Sequence, residues 1–426
     1  MPIIKEHQSL SEKKEEFSHF NPCERKKPYI DGLLLNPKAS ERDRRFFFFW
    51  DDIKKSYVAS YMIGVQRING EELVIEPKIE SIDFMKMFSI CLGSGLATDD
   101  FSKIYGINLD SEPIETSINF SSSITPLLIV HFLKLLKDIV SKGLRYDYIQ
   151  KNESLKKVKG KIDISKHERK NIFNHKYDKI YCKYMERSVN IPENRLLKKA
   201  LIFCQQFILR MRGNESFKEL YKTINYCLSY FEKVDENIEN WEIRNAKTST
   251  LYKNYEEAIK VAKTILRRFD YSITNAKNRK EKVPEFWIDM PLLYEHYVLG
   301  LLKRDYGNAI DYQKSGWFGW RPDFLHKKEK IIMDTKYMPQ LDWNGLTGDI
   351  VGQLAGYSRV TSFTNALDVD DNTVIPCLIL YPTISAEAGN FHFDKSKSLI
   401  ELANKANHMT KFYKLAVPLP KLKTTN

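Results

Sequence analysis

The stretch WRPDFLHKKEKIIMDTKY, residues 320–337, reads as two short strands that carry Asp323, Asp334 and Lys336. An unpaired buried charge is costly, so these three either face water or act together. A hairpin turn centred on Lys328-Glu329 puts Asp323 opposite Asp334, Phe324 opposite Met333 and Leu325 opposite Ile332. Directly opposed side chains have Cβ atoms about 5 Å apart. Alternation then places Lys336 on the face of Asp334, and Phe324, Met333 and Thr335 on the other face. A loop of even length keeps this register; a three-residue loop would separate the aspartates. Two carboxylates so close repel unless something positive lies between them. Mg²⁺ suits that position, since it takes hard oxygen ligands and keeps several waters. Such a cation polarises a phosphoryl group and lowers the pKa of an attacking water, and Lys336 is placed to orient that water or neutralise developing charge. The chemistry suited to this set is phosphodiester hydrolysis.

The neighbouring segments add two candidates. In DMPLLYEHYVLGLLKRD, Leu292, Leu299 and Leu302 mark an apolar helical stripe with Glu295 inside it. A carboxylate in an apolar seam needs a partner, which makes Glu295 a candidate outer metal ligand or, equally, a helix-to-helix contact. In TGDIVGQLAGYSRV, Gln353 lies beside the stripe Ile350, Leu354 and Tyr357. It is a candidate hydrogen-bond partner for a ligand, water or phosphate near the metal, or an ordinary partly buried amide. An Asp, a second acidic residue and a Lys two positions on is common by chance; its order between a Glu-bearing and a Gln-bearing helix is less so.

These residues need elements to hold them. Around the hairpin, a helix from about Pro291, strands at 308–313, 321–326 and 330–337, a helix at 347–360 and a strand at 373–381 suggest an α/β domain. The first 120 residues are β-rich. RRFFFFWDD reads as a strand buried on both faces, YVASYMIGVQRI and ELVIEPKI flank an Asn69-Gly70 hairpin signal, and IDFMKMFSICLG reads as helix. From Ser123 the period becomes helical: PLLIVHFLKLLKDIVSKG, ENRLLKKALIFCQQFILRMRG, SFKELYKTINYCLSYFEKV and NYEEAIKVAKTILRRFDY. The Lys- and Arg-dense ESLKKVKGKIDISKHERKN between them is a solvated face or a phosphate-contacting edge. The expected fold is α+β and multidomain: a β-rich N-terminal domain over 1–120, a mostly helical middle region over 121–283, and an α/β C-terminal domain over 284–426.

The 426 residues carry a net charge of +12, which favours a polyanionic partner. The six cysteines show no CxxC pair and the nine histidines no HExxH or HxxxH spacing, so neither a zinc site nor a disulfide framework is expected. No signal-peptide pattern opens the chain and no apolar run is long enough to span a bilayer, so the expected location is cytoplasmic, with no membrane partner. No GxxxxGK[ST] phosphate loop occurs, so no nucleotide site is expected and any nucleotide hydrolysis belongs to another subunit.

Pro322-Asp323 followed by Asp334-Thr335-Lys336 resembles the PD-(D/E)xK nuclease core. More narrowly, GVQRINGEELVIEPKI, ESLKKVKGKIDI, NIPENRLLKKAL and RPDF…IMDTKY…DIVGQLAGY, together spanning residues 64–357, resemble the McrC family, the nuclease subunit of McrBC-type modification-dependent restriction systems. The resemblance implies a C-terminal PD-(D/E)xK domain that cuts double-stranded DNA, with Asp323 and Asp334 binding Mg²⁺, Lys336 assisting the water, and Glu295 and Gln353 completing the set. It also implies a partner, a McrB-like ring-forming AAA+ GTPase that binds GTP and reads methylated cytosine. The β-rich N-terminal part would dock into that ring and stimulate it. The chain departs from the family where Gly160 is followed by Lys161 rather than Arg, and its segment before Arg44 matches nothing. The competing reading is a non-catalytic adaptor that binds nucleic acid and activates the ring. A third, a plain basic nucleic-acid-binding protein, leaves the three charged residues without a role.

Overall fold

A computed structural model describes residues 3–6, 8, 47–51, 56–68, 71–93, 103–116, 121–210, 217–239, 253–274, 281–316, 319–339, 341, 346–370, 372–383, 391–406 and 408–422. The Asn69-Gly70 turn, Cys23, most of the polar first 45 residues and the basic 275–280 stretch lie outside them. The fold is mixed α and β with several sheets, consistent with the α+β expectation. The chain forms two compact units. One gathers Met1–Val130, Gly213–Leu220 and Lys277–Asn426; the other gathers His131–Arg212 and Tyr221–Ala276. These units do not coincide with three consecutive segments.

In the first unit, a five-stranded sheet runs in the order Ile3–Lys5, Glu71–Glu76, Met62–Ile68, Glu285–Asp289, Tyr105–Asn108. Ile68 pairs with Glu71, in keeping with the hairpin signal between them. Strand Glu285–Asp289 enters between two strands from the first 110 residues, with all five residues buried. Gly64 makes this possible: its φ is 142°, and a Cβ there would come within 2.1 Å of the Phe286 carbonyl oxygen. The expected strand through RRFFFFWDD is present as Phe48–Asp51, paired with Ser56–Ala59; Phe47 and Phe48 are buried. Helix Phe84–Gly93 packs on helix Met290–Tyr306, which starts where Asp289 accepts a hydrogen bond from the Leu292 amide at 2.9 Å.

The same unit holds a six-stranded sheet ordered Ile310–Tyr312, Phe324–His326, Ile331–Thr335, Cys377–Thr383, Phe412–Pro418, Asn404–Lys405. Its first three strands are antiparallel neighbours, and Ile331–Thr335, Cys377–Thr383 and Phe412–Pro418 run parallel. A parallel pair needs a crossover; here helices Gly348–Tyr357 and Thr361–Ala366 supply it. They bury Tyr357 and Phe363 against Leu325 and Ile332, and Leu354 against Cys377 and Ile379. On the other face, Phe324 meets Tyr312, and Tyr312 meets His296 of helix Met290–Tyr306.

The second unit adds a small sheet to the helices that its periodicity suggests. Two nine-residue strands, Asp147–Leu155 and Ile180–Ser188, pair antiparallel, and Lys161–Ile162 joins the far edge. Strand Asp147–Leu155 has no buried residue, so it carries no apolar alternation. Gly160, at φ 71°, turns the chain into the edge strand where a Cβ would meet the Lys183 carbonyl oxygen at 2.6 Å. The cations of ESLKKVKGKIDISKHERKN are exposed; Lys159 pairs with Glu186 at 3.1 Å and lies over the Tyr184 ring. Helices Pro192–Arg210 and Lys253–Thr274 pack together. Asn194, from ENRLLKKAL, fastens one end of the strand pair to the helices: it donates to the Arg145 and Val189 carbonyls at 2.9 and 2.7 Å and accepts from the Tyr255 hydroxyl at 3.2 Å. The five described cysteines are buried, as core filler should be. Among the described residues, no helix is long and apolar enough to cross a membrane.

Candidate active site

Phe324 pairs with Met333, Leu325 with Ile332 and His326 with Ile331, around the four-residue loop 327–330. The loop is of even length, and Lys330 closes it at φ 55°. This is the register that sets Asp323 opposite Asp334. Asp334 lies on strand Ile331–Thr335, flanked by the parallel strand Cys377–Thr383, and is only 2% exposed. The Lys336 ammonium lies in direct contact with its Oδ2. A tight backbone bond from the Lys336 amide to the Leu380 carbonyl, 3.0 Å, fixes the lysine just past the strand end.

Asp323 sits one residue before its strand, so alternation does not govern its side chain. Its Oδ2 accepts from the Thr335 amide at 2.6 Å and from the Thr335 hydroxyl at 2.5 Å. Thr335, which simple alternation sets on the far face, therefore belongs to the aspartate patch. Burial, then the charges of Asp334 and Glu295, push the Asp323 carboxyl well above the usual carboxylate range, against the pull of Thr335. Burial also raises Asp334, and the Lys336 ammonium draws it only part of the way back.

Glu295 faces this patch from helix Met290–Tyr306. It accepts from Gln313 Nε2 at 2.8 Å and reaches Asp323 through its charge. Gln353 is exposed on helix Gly348–Tyr357. Its Oε1 accepts from Lys336 Nζ at 3.3 Å, its Nε2 donates to the Tyr357 hydroxyl at 2.7 Å, and that hydroxyl donates to the Arg321 carbonyl at 3.1 Å. The structure thus brings Asp323, Asp334, Lys336 and Gln353 together at one end of the sheet, with Glu295 opposite Asp323. Sequence reasoning missed three participants: Thr335 as the clamp on Asp323, Tyr357 as the support of Gln353, and Arg321, whose carbonyl anchors Tyr357. The tyrosine was visible only as part of an apolar stripe.

The donors fit a hard divalent cation. Two carboxylates converge in a nearly dry setting, both held above their ordinary pKa, and the Lys336 ammonium is in contact with Asp334. Among the described residues no three Asp, Glu, His or Cys side chains stand together as a metal cage. A cation here would draw its remaining ligands from water and substrate, as Mg²⁺ commonly does. Beside the pair, Trp320, Arg321, Asp349, Gly352, Gln353 and Tyr357 line a cleft of about 630 Å³.

Fold and site define a mixed α/β protein whose six-stranded sheet carries a carboxylate pair and an adjoining lysine at one end. The model of the family "McrBC 5-methylcytosine restriction system component" matches residues 59–344. The chain belongs to that family. No curated protein matches it. Among solved structures, the chain is similar to one from the refined half-complex of a tetradecameric assembly of Thermococcus gammatolerans McrB AAA+ hexamers with bound McrC. Identity is 16%, coverage is 100% of this chain and 96% of that one, and the TM-score is 0.39. It is also similar to a chain of the T. gammatolerans McrBC complex, at 14% identity, 71% and 87% coverage and a TM-score of 0.31.

Proposed function

We propose that this chain is the DNA-cutting component of its restriction system: a Mg²⁺-dependent endonuclease of the PD-(D/E)xK type, acting in the cytoplasm beside an AAA+ GTPase that recognises 5-methylcytosine-modified DNA. Family membership supports the system, and the lack of a GxxxxGK[ST] loop supports assigning nucleotide hydrolysis to a partner. The observation that carries the nuclease reading is the junction of Asp334, buried and in contact with the Lys336 ammonium, with Asp323, whose carboxyl feels the charge of Asp334.

Asp323 and Asp334 would hold the Mg²⁺. When bound, the cation supplies a polarised phosphoryl group and a more acidic attacking water. The protein's own part is positional. Thr335 fixes Asp323 with two hydrogen bonds, so the carboxylate needs no reorganisation. Lys336 sits between Asp334 and Gln353, where its ammonium can hold a water or meet negative charge growing on the phosphate oxygens. Gln353, braced by Tyr357, sets the direction of that ammonium. Glu295 keeps the patch negative and so favours the cation.

The test is cleavage of methylated plasmid by the full chain with its GTPase partner. Asp334→Ala and Lys336→Ala are expected to abolish cutting while leaving folding and partner-stimulated GTP hydrolysis intact. Undiminished cutting by either variant would refute the assignment. Deleting residues 1–120 is not a clean probe of partner docking, because it strips strand Glu285–Asp289 of its neighbours on both sides.

A further inference from the structure

Trp320 stands at the rim of the cleft beside the carboxylate pair with 41% of its surface exposed, unusual for the largest apolar side chain. The ring is nonetheless fixed. Gly356 lets it lie directly on the helix, since a Cβ there would come within 2.3 Å of a ring carbon. The Tyr357 ring meets it edge-on at 5.8 Å and 79°. It is a rigid flat surface, held by packing at one side and open at the other.

The rest of the lining comes mostly from that helix. Gly352 lines the cleft in the middle of helix Gly348–Tyr357, and a Cβ there would meet nothing within 4 Å among the described residues. Glycine weakens a helix interior, and among the described residues no packing neighbour accounts for leaving this position bare. Gln353 and Tyr357 line the same cleft and connect by hydrogen bonds to the Lys336 ammonium. Whatever enters is therefore one side chain away from the reacting group. Its lining offers one cation, Arg321, and one anion, Asp349, rather than a cluster of cations. This suits a planar, neutral group with a hydrogen-bonding edge better than a second phosphate. A volume of about 630 Å³ accommodates a group of nucleotide size.

Resting on the nuclease reading above, we propose that the cleft between Trp320 and helix Gly348–Tyr357 receives an unstacked nucleotide beside the phosphodiester that is cut, with its base lying on the Trp320 ring. A base inside an intact duplex cannot reach a side-chain platform, so the strand opens locally at the cut. Stacking of this kind tolerates any base, because each has a π-face, so Trp320 adds hold on the strand without adding a sequence requirement.

The experiment uses the full chain with Ca²⁺ in place of Mg²⁺ and a short single-stranded oligonucleotide carrying 2-aminopurine, whose fluorescence stacking quenches. The wild type is expected to bind and quench. Trp320→Ala should bind roughly tenfold more weakly and lose the quench. Trp320→Phe, which keeps a ring, should restore most of both. Gly352→Leu fills the cleft and favours the helix, so it should lose binding with its melting temperature held or raised. A strand abasic at every position should bind the wild type about as weakly as the intact strand binds Trp320→Ala. The proposal is overturned if Trp320→Ala and Gly352→Leu bind and quench as the wild type, or if the abasic strand binds as well as the intact one. Cutting separates the two readings: Asp334→Asn should fail to cut in Mg²⁺ whether or not a base stacks on Trp320. If it cuts, the nuclease reading fails, while the quench still decides the role of Trp320.

Discussion

Two buried carboxylate sites in the same unit behave in opposite ways. Asp305, near the end of helix Met290–Tyr306, accepts from His392 Nδ1 at 2.8 Å, from the Phe393 amide at 3.0 Å and from Arg304 Nε at 3.4 Å. Burial alone would raise its pKa, but these bonds outweigh it and hold the carboxyl below the usual range. At Asp323 and Asp334 burial prevails, and at Asp323 the neighbouring charges are carboxylates. Asp305 is complete with partners from its own chain and joins a helix to a later loop. The aspartate pair is short of positive charge, and the fold has accepted that cost at the end of its sheet. Burial does not separate the two sites; the sign of what surrounds their carboxyls does.

The largest expected effect lies in cleavage. Asp323→Asn and Asp334→Asn should each lower the rate by a factor on the order of a thousand or more. Asp305→Asn should cut at close to the wild-type rate wherever it is folded. A plasmid-nicking series on all three breaks the contrast if Asp305→Asn loses as much as the pair. Stability should show the reverse order. Asp305→Asn strands its donors and should cost about 3 kcal/mol, whereas Asp334→Asn in EDTA should cost little or be stabilising, since it relieves repulsion. Urea denaturation reads both.

The pH dependence sharpens the comparison further. A depressed carboxyl contributes stability that is present above its unfolded pKa and lost as pH falls through the folded one, so Asp305 protects on the alkaline side of its titration. A raised carboxyl works the other way: the folded state binds the proton more tightly, so stability falls as pH rises from the ordinary carboxylate range through the elevated pKa. In EDTA, the wild type should lose stability toward neutral pH from the aspartate pair, and Asp334→Asn should flatten that limb while leaving the acid limb intact. Urea midpoints measured from acid to neutral pH should separate the two limbs. The smallest effect is expected at Gln353, which touches the ammonium without reaching the carboxylates. Gln353→Ala should slow cutting by about tenfold, with unchanged stability and unchanged cation affinity.

Much of the geometry of this site is legible in the sequence. Alternation alone sets Asp334 and Lys336 on one face; Asp323 opposite Asp334 depended on an even loop, a condition that the four-residue loop 327–330 meets. Thr335 escapes both rules: Asp323 precedes its strand, and its carboxylate turns to the Thr335 amide instead of following the pleat. Glu295 and Gln353 were found as polar residues in or beside apolar stripes, but their partners Gln313 and Tyr357 depend on how helices cross the sheet, which spacing does not encode. Two features of the fold escaped for different reasons. Strand Glu285–Asp289 reads as apolar, yet nothing local says that it completes a sheet begun some 220 residues earlier by Met62–Ile68. Strand Asp147–Leu155 is wetted on both faces, so no pattern distinguishes it from loop.

The central claim is that Asp323 and Asp334 together hold a divalent cation, and a titration with Mn²⁺ followed by electron paramagnetic resonance tests it without requiring cleavage, DNA or partner. The account predicts a cation bound by the full chain and by Asp305→Asn, and lost from Asp323→Asn and Asp334→Asn. Equal Mn²⁺ binding by all four proteins would contradict it.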